Sequence, residues 1–454
     1  MMNWHDIYKQ KLTTADEAVK IIKDGDDVEY TPFSCGPHEL DAALARRKGE
    51  LKKIYLHYST LMYVPEVFKA DPLSEVFVHS DGSFSAVTRK MKEGGGNIYA
   101  KPLLYHETGL HYSKGLIKDD VYFLTAAPMD EFGYFNLGPN CSDMMEIFRA
   151  RGGGKKPNLK IIVEVNPLMP VVQGDNSVHV TDVDLIVEEQ EPHPLVAIPA
   201  VDGDETDEKI ANLLMEEMVD GACLQLGIGG LPNLVGKKLA ASDFKDFGCH
   251  SEMFVDAYME LFNAGKLTNA RKQIDVGKSV FTFGLGSKAL YDFMNNNPGL
   301  RCMPVGYTND PHVIAQNDRV YSICSCINVD LFGNISSESV GYKQISGTGG
   351  QLDYHFASLK SNGGKGFLCL HSSKVKRDGT RVSNIVPYFE PGTQISIPAN
   401  MTNYIVTEYG IANMKGLTTW ERVEELIRIA HPDFRQDIAD AAEKAGLWKR
   451  SNKI

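Results

Sequence analysis

Asp220-Gly221-Ala222-Cys223-Leu224-Gln225-Leu226 runs into Gly227-Ile228-Gly229-Gly230-Leu231-Pro232 and then into Leu234-Val235-Gly236-Lys237-Lys238-Leu239. In that order it reads as an apolar strand, a glycine turn and the opening of a helix. Glycine lets backbone N–H groups approach a ligand, because no Cβ blocks φ > 0 or close contact. A helix N-terminus adds partial positive charge at the same place, so the layout suits a phosphate or a thioester oxygen. The glycine spacing is not the dinucleotide fingerprint, and no lysine–serine pair makes it a P-loop. The same glycines would also serve a tight strand-to-helix turn that binds nothing.

Working outward, the stretch has an echo about two hundred positions earlier. A helix-like segment leads into Asp24-Gly25-Asp26-Asp27-Val28-Glu29-Tyr30, followed by a loop with Ser34, Gly36 and Pro37. A second echo pairs Met129-Asp130-Glu131-Phe132-Gly133-Tyr134-Phe135-Asn136 with Val329-Asp330-Leu331-Phe332-Gly333-Asn334. Two echoes in the same order at about the same separation predict two α/β domains that arose by duplication, with a ligand cleft between the halves. Strand-like runs at 54–58, 121–124 and 159–165 alternate with helical spacing such as 211–219, which agrees with α/β layering. The polar, proline-rich stretch Glu188-Glu189-Gln190-Glu191-Pro192-His193-Pro194, with Pro199 and an acidic run at 202–208, is the expected linker. The predicted domains are therefore 1–190 and 200–454.

Composition bounds the function. The 454 residues exceed what one core usually serves, and 43% hydrophobic with 23% charged residues is ordinary globular chemistry. A formal net charge of −12 argues against nucleic-acid and acidic-membrane partners. No apolar run is long enough to cross a bilayer, and the start Met1-Met2-Asn3-Trp4-His5-Asp6 lacks the layout of a secretory signal. The eight cysteines are scattered, with no Cys-x-x-Cys pair, as in a reduced cytoplasmic protein. No His-Glu-x-x-His or comparable pattern supports a metal site.

Two further glycine loops follow, Phe283-Gly284-Leu285-Gly286-Ser287 and Ser346-Gly347-Thr348-Gly349-Gly350-Gln351-Leu352-Asp353, the second with successive amides able to face an oxyanion. Between the first loop and these lies Glu252, in Gly248-Cys249-His250-Ser251-Glu252-Met253. By composition alone Glu252 is a solvated residue at a helix start, with Ser251 as the cap. Among glycine loops it can instead be a covalent nucleophile. Lys374-Val375-Lys376-Arg377-Asp378-Gly379 reads as a basic hairpin turn, or as a clamp for an anionic ligand.

Taken together, these motifs resemble the acetyl-CoA hydrolase/transferase family over nearly the whole chain. The likeness extends from Trp4-His5-Asp6-Ile7-Tyr8 to Ile429-Ala430-His431-Pro432-Asp433-Phe434, and its most specific parts are Gly227–Pro232, His250–Met253, Gly347–Asp353 and Asn384-Ile385-Val386-Pro387. It implies two related open α/β domains of the CoA-transferase fold, with the active site in the cleft between them. It places the nucleophile on Glu252 and coenzyme A contacts on Gly227, Ile228, Gly229, Gly230, Leu231, Ile327, Gly350 and Lys376. Gly347 and Gly349 are neighbouring oxyanion candidates. The implied activity is transfer of coenzyme A between a short-chain acyl-CoA, butyryl-CoA first, and acetate, with 4-hydroxybutyrate or propionate as other acyl groups. Coenzyme A is then a cosubstrate, no cofactor or metal is permanently bound, and a cytoplasmic homo-oligomer is expected. An acyl-CoA hydrolase using the same glutamate, or a non-catalytic acyl-CoA-binding protein, are the competing readings.

Overall fold

Short runs rich in valine, isoleucine and aromatic residues, each closed by a polar or glycine turn, form two mainly parallel sheets. The computed structural model describes residues 3–154, 156–199, 201–227 and 229–452. The chain divides into two units, Met1–Pro199 with Val280–Asn309, and Ala200–Ser279 with Asp310–Ile454.

In the first unit seven strands lie in the order Ile98–Ala100, Phe77–Asp81, Ile54–Tyr58, Asp27–Tyr30, Val121–Ala126, Lys160–Val165 and Leu185–Glu188, every neighbouring pair parallel. Strand order reverses between Asp27–Tyr30 and Val121–Ala126, the doubly wound pattern. All six residues of Val121–Ala126 are buried, as expected where a parallel sheet is covered on both faces. Val28, Leu56, Phe77 and Phe123 belong to one continuous core.

The second unit has six strands in the order Gly248–Cys249, Cys223–Leu226, Val320–Ser325, Lys365–Cys369, Tyr404–Thr407 and Gly410–Asn413. The first five are parallel and the last turns back antiparallel through Gly410, at φ +146°. Leu368, Ile405, Ala412 and Leu426 centre its main core.

The echoes in sequence are echoes in structure. Asp24 accepts the Lys52 N–H (2.9 Å) and Asp220 accepts the Lys245 N–H (3.0 Å), while Gly25 and Gly221 both take positive φ, +86° and +73°. Asp130 accepts the N–H groups of Phe132 and Tyr134 (2.9 and 2.8 Å), and Asp330 those of Phe332 and Asn334 (3.0 and 2.9 Å). Gly133 and Gly333 carry the left-handed step of each turn, at +88° and +85°. In each sheet the first strand after the Asp-Gly turn sits between the next strand in sequence and the strand preceding the aspartate turn.

One expected placement is corrected. The Phe283–Ser287 loop was read with the second domain, but Val280–Asn309 belongs to the first unit. Non-local pairing decides this: Cys141 N–H donates to Thr282 O (2.8 Å), Cys302 N–H to Gln173 O (2.8 Å), and Phe33 stacks on Phe283 with centroids 3.6 Å apart. Gly284 is there for packing, since a Cβ would stand 2.5 Å from Met294 Cε. Among the described residues, no helix is long and apolar enough to cross a membrane.

Candidate active site

The second sheet gathers the candidate residues because four neighbouring parallel strands end on the same edge, where α/β proteins bind ligands. Glu252 follows Gly248–Cys249, the first glycine loop follows Cys223–Leu226, Ile327 follows Val320–Ser325, and His371 follows Lys365–Cys369.

Glu252 is half-buried in a bend, behind a rigid base. His250 and Ser251 are fully buried, and His250 N–H donates to Leu224 O (3.3 Å). Lys272, almost wholly buried, donates from Nζ to Cys249 O (2.9 Å), and a Cβ at Gly248 would lie 2.8 Å from its Cγ. Ser251 does not cap the next helix. Met253–Phe254 is extended, and helix Asp256–Asn263 is capped at Val255. From that helix the Tyr258 hydroxyl accepts the Leu226 N–H (2.9 Å) and donates to Leu224 O (3.1 Å), holding the strand end from which Gly227 emerges.

At Gly227 and Gly229 an added Cβ would meet nothing within 4 Å, so this backbone faces open space. Gly229 lies at φ +121°, which disfavours other residues, and forms the N-cap of helix Gly230–Ala241. Gly230 serves packing: its Cβ would stand 3.0 Å from Asp207 Oδ2 and from Gly203 Cα. Ile228 lies outside the described residues.

The second loop comes to the carboxylate. Gly349 takes φ +53°, and a Cβ built on it would stand 4.0 Å from Glu252 Oε1. Gly347 lies in the same loop, and Gly350 is the N-cap of helix Gln351–Lys360. Thr348 Oγ1 donates to the buried Glu338 (3.0 Å), which pins the loop. Burial, reinforced by the Glu252 charge, pushes the Cys324 thiol up to about 12 and raises the Tyr354 phenol well above its usual value. The thiol and phenol beside Glu252 therefore stay neutral near pH 7.

Beside the strand ends is a cavity of about 290 Å³, lined among others by Leu231, Ile327, Leu370, His371, Lys374 and Asn384. Leu231 and Ile327 were expected from sequence. His371, Lys374 and Asn384 were not assigned roles, although His371 stands two residues past the end of the parallel strand Lys365–Cys369, which is the signal that finds it. The basic turn is a hairpin, Ser373–Val375 against Arg381–Ser383. Lys374 reaches the cavity, whereas Lys376 is exposed at the turn, its N–H donating to Thr380 O (2.8 Å). Asp204, Asp207 and His371 bring ligand atoms within 4.8 Å of one another. Their grouping has a structural cause: the two aspartates form the capping box of helix Glu205–Glu216, and Asp207 binds His371 Nε2 (2.9 Å).

Residues 1–198 match the model of the acetyl-CoA hydrolase/transferase N-terminal domain, and residues 286–442 that of the C-terminal domain. The chain belongs to this family. Within it, the chain is 43% identical to a butyryl-CoA:acetate CoA-transferase of Anaerostipes caccae, over all of both chains. It is 36% identical to a 4-hydroxybutyrate coenzyme A transferase of Clostridium kluyveri, covering 98% of this chain and all of that one. Among solved structures, RipA from Yersinia pestis superposes with a TM-score of 0.88 at 34% identity, covering 98% of this chain and 100% of that chain. The acetyl-CoA hydrolase/transferase family thus spans both units, including the strand ends on which Glu252 and the Gly227–Leu231 loop sit.

Proposed function

We propose that this protein transfers coenzyme A between a short-chain acyl-CoA, butyryl-CoA in the first instance, and acetate, with Glu252 as the covalent nucleophile. The enzyme class is CoA-transferase, as family membership and relatives at 36–43% identity over the full chain support. The observation that carries the mechanism is the approach of the Gly349 backbone to Glu252 Oε1, with Glu252 and Gly227 following neighbouring parallel strands.

Exchange must conserve the thioester bond, and direct displacement of a thiolate by acetate is slow. A fixed carboxylate divides the task. Glu252 attacks the acyl carbonyl, coenzyme A leaves as thiolate, and a mixed anhydride remains. The thiolate then attacks the glutamyl carbonyl, releasing the acyl group as carboxylate and leaving a glutamyl-CoA thioester. Acetate attacks that thioester, and the expelled thiolate takes the acetyl group, which regenerates Glu252. Each tetrahedral intermediate places negative charge on oxygen, and amides of the 347–350 and 227–229 loops are the donors suited to it. One such donor is typically worth about 2.7–4 kcal/mol. Coenzyme A enters as cosubstrate, with Gly227–Leu231, Ile327, Gly350 and the basic hairpin as its contacts; Lys374 joins that set because it lines the cavity. All eight cysteines are free thiols, in keeping with a reducing cytoplasm, where we place the protein as a homo-oligomer.

Peptide mapping by mass spectrometry after incubation with butyryl-CoA tests this. The expected result is a coenzyme A adduct on the Glu252 peptide that acetate discharges as acetyl-CoA. An adduct lost equally fast without acetate indicates a hydrolase, and no adduct with no turnover removes the covalent reading.

A further inference from the structure

Asn384 stands in the stretch Asn384-Ile385-Val386-Pro387, for which the mechanism has no use, yet its polar atoms are almost fully accounted for. Its N–H donates to Ser372 O (2.9 Å), and its carbonyl accepts from Val329 N–H (3.0 Å) and Asn328 Nδ2 (3.2 Å). The side-chain Nδ2 donates to His371 O (2.9 Å). That bond fixes the orientation of the carboxamide, because the reverse one would set two oxygens against each other. Oδ1 is left over. It accepts no hydrogen bond among the described residues, on a side chain in a residue only 7% exposed, at the wall of the cavity. A buried acceptor without a donor is costly, so it marks where a donor arrives.

The cavity defines that donor. At about 290 Å³ it lies at the low end for a drug-sized ligand, so it holds a part of coenzyme A and not the whole. Ile210, Leu231, Ile327 and Leu370 give it apolar walls, interrupted by the polar side chains of Asp207, Ser325, His371, Lys374 and Asn384. Glu252 and His371 follow the first and fourth strands of the edge, three inter-strand steps or about 14 Å apart along the sheet. An arm whose thioester end meets Glu252 therefore runs along this edge towards the cavity. Such an arm is a hydrocarbon chain interrupted by amide N–H donors. Resting on the coenzyme A reading above, we infer that the Asn384 carboxamide oxygen accepts an amide N–H of the pantetheine arm and so selects for that arm.

Equilibrium binding to the full-length protein tests the inference, using butyryl-CoA, butyryl-pantetheine, butyryl-pantetheine methylated on both amide nitrogens, and 3′,5′-ADP. Asn384→Ala is expected to weaken butyryl-CoA and butyryl-pantetheine by roughly tenfold. It leaves 3′,5′-ADP unchanged, which a general loosening of the site would not. Methylation costs the unaltered protein about the same factor, a measurement that stands even if the variant folds poorly, and costs the variant less. Equal binding by variant and parent overturns the inference, as does a methylated arm that binds the parent as well as the free amide does. A loss confined to 3′,5′-ADP would assign Asn384 to the adenine amino group instead. No binding of butyryl-CoA by the unaltered protein would overturn the coenzyme A reading itself, a different outcome from any of these.

Discussion

At the scale of single residues, Glu252 and Gly349 carry the most direct consequences. Removing the proposed nucleophile with Glu252→Ala should lower turnover of butyryl-CoA by about 10⁴-fold or more, while binding of the thioester persists. Retention of more than a hundredth of the activity would mean that another group attacks. Gly349→Ala tests the loop. The left-handed conformation costs a non-glycine residue roughly 1–2 kcal/mol, and the new methyl would sit 4.0 Å from Glu252 Oε1, an ordinary contact with no clash. The expected signature is a fall in kcat of about tenfold or more, with KM for acetate little changed, because amide direction is altered and not access. A variant with normal kcat would take the 347–350 amides out of the reaction.

At the scale of elements, the fixed strand end matters as much as the glycines. Tyr258 spends its hydroxyl on Leu226 N–H and Leu224 O, so Tyr258→Phe strands the buried Leu226 N–H and leaves Leu224 O one donor fewer, with the His250 N–H still bonded to it. A loss of about 1–3 kcal/mol in denaturant unfolding is expected, with faster hydrogen exchange at Leu226. Unchanged stability would show that water replaces the hydroxyl. Elements of this kind were partly legible in sequence. The Asp-Gly pairs at 24–25 and 220–221, and the turns at 130–134 and 330–334, could be read because each is a local device: a carboxylate capping nearby N–H groups and a glycine at positive φ. Gly229 and Gly349 could be read as turn glycines because positive φ is written in residue type, whereas the role proposed for Glu252 comes from the family resemblance and not from its residue type. What depends on distant pairing was not legible. Phe283–Ser287 looks like its neighbours in sequence, but hydrogen bonds from Cys141 and to Pro139 assign it to the first unit. Lys374 and Lys376 differ only in their position on a hairpin, and Asn384 gains meaning only once its other bonds are counted.

At the scale of the whole molecule, buried ionisable groups set the pH response. Burial, with the charges of Glu29 and Glu146, pushes Asp143 up to about 8, and burial raises Asp41 and Glu146 to about 7. These carboxyls keep their protons in the fold but lose them in the unfolded chain above about pH 4. Their contribution is complete below that pH and is lost as pH rises towards 8. His38 and His79, lowered to about 4 chiefly by burial, act in the opposite sense: they stabilise above the unfolded value near 6.5 and cease to do so as pH falls towards 4. Stability should therefore decline between pH 6.5 and 8. Asn at 143 (Asp143→Asn) should flatten that decline by up to about 2 kcal/mol in urea unfolding compared at pH 6 and 8. Parallel profiles for variant and parent would exclude Asp143 as a source.

The repeated turns also bear on descent. We read two copies that share an aspartate-capped entry, a central strand and a second aspartate turn as a fusion of two chains of half the length, each of which had to supply every role. Fusion removed that obligation. After Ile54–Tyr58 the first copy continues Ser59-Thr60-Leu61, with no acid, where the second continues His250-Ser251-Glu252 after Gly248–Cys249. On the mechanism proposed for Glu252, selection on the nucleophile acts on one copy alone, and the other is free to drift at the matching positions while keeping only its scaffold.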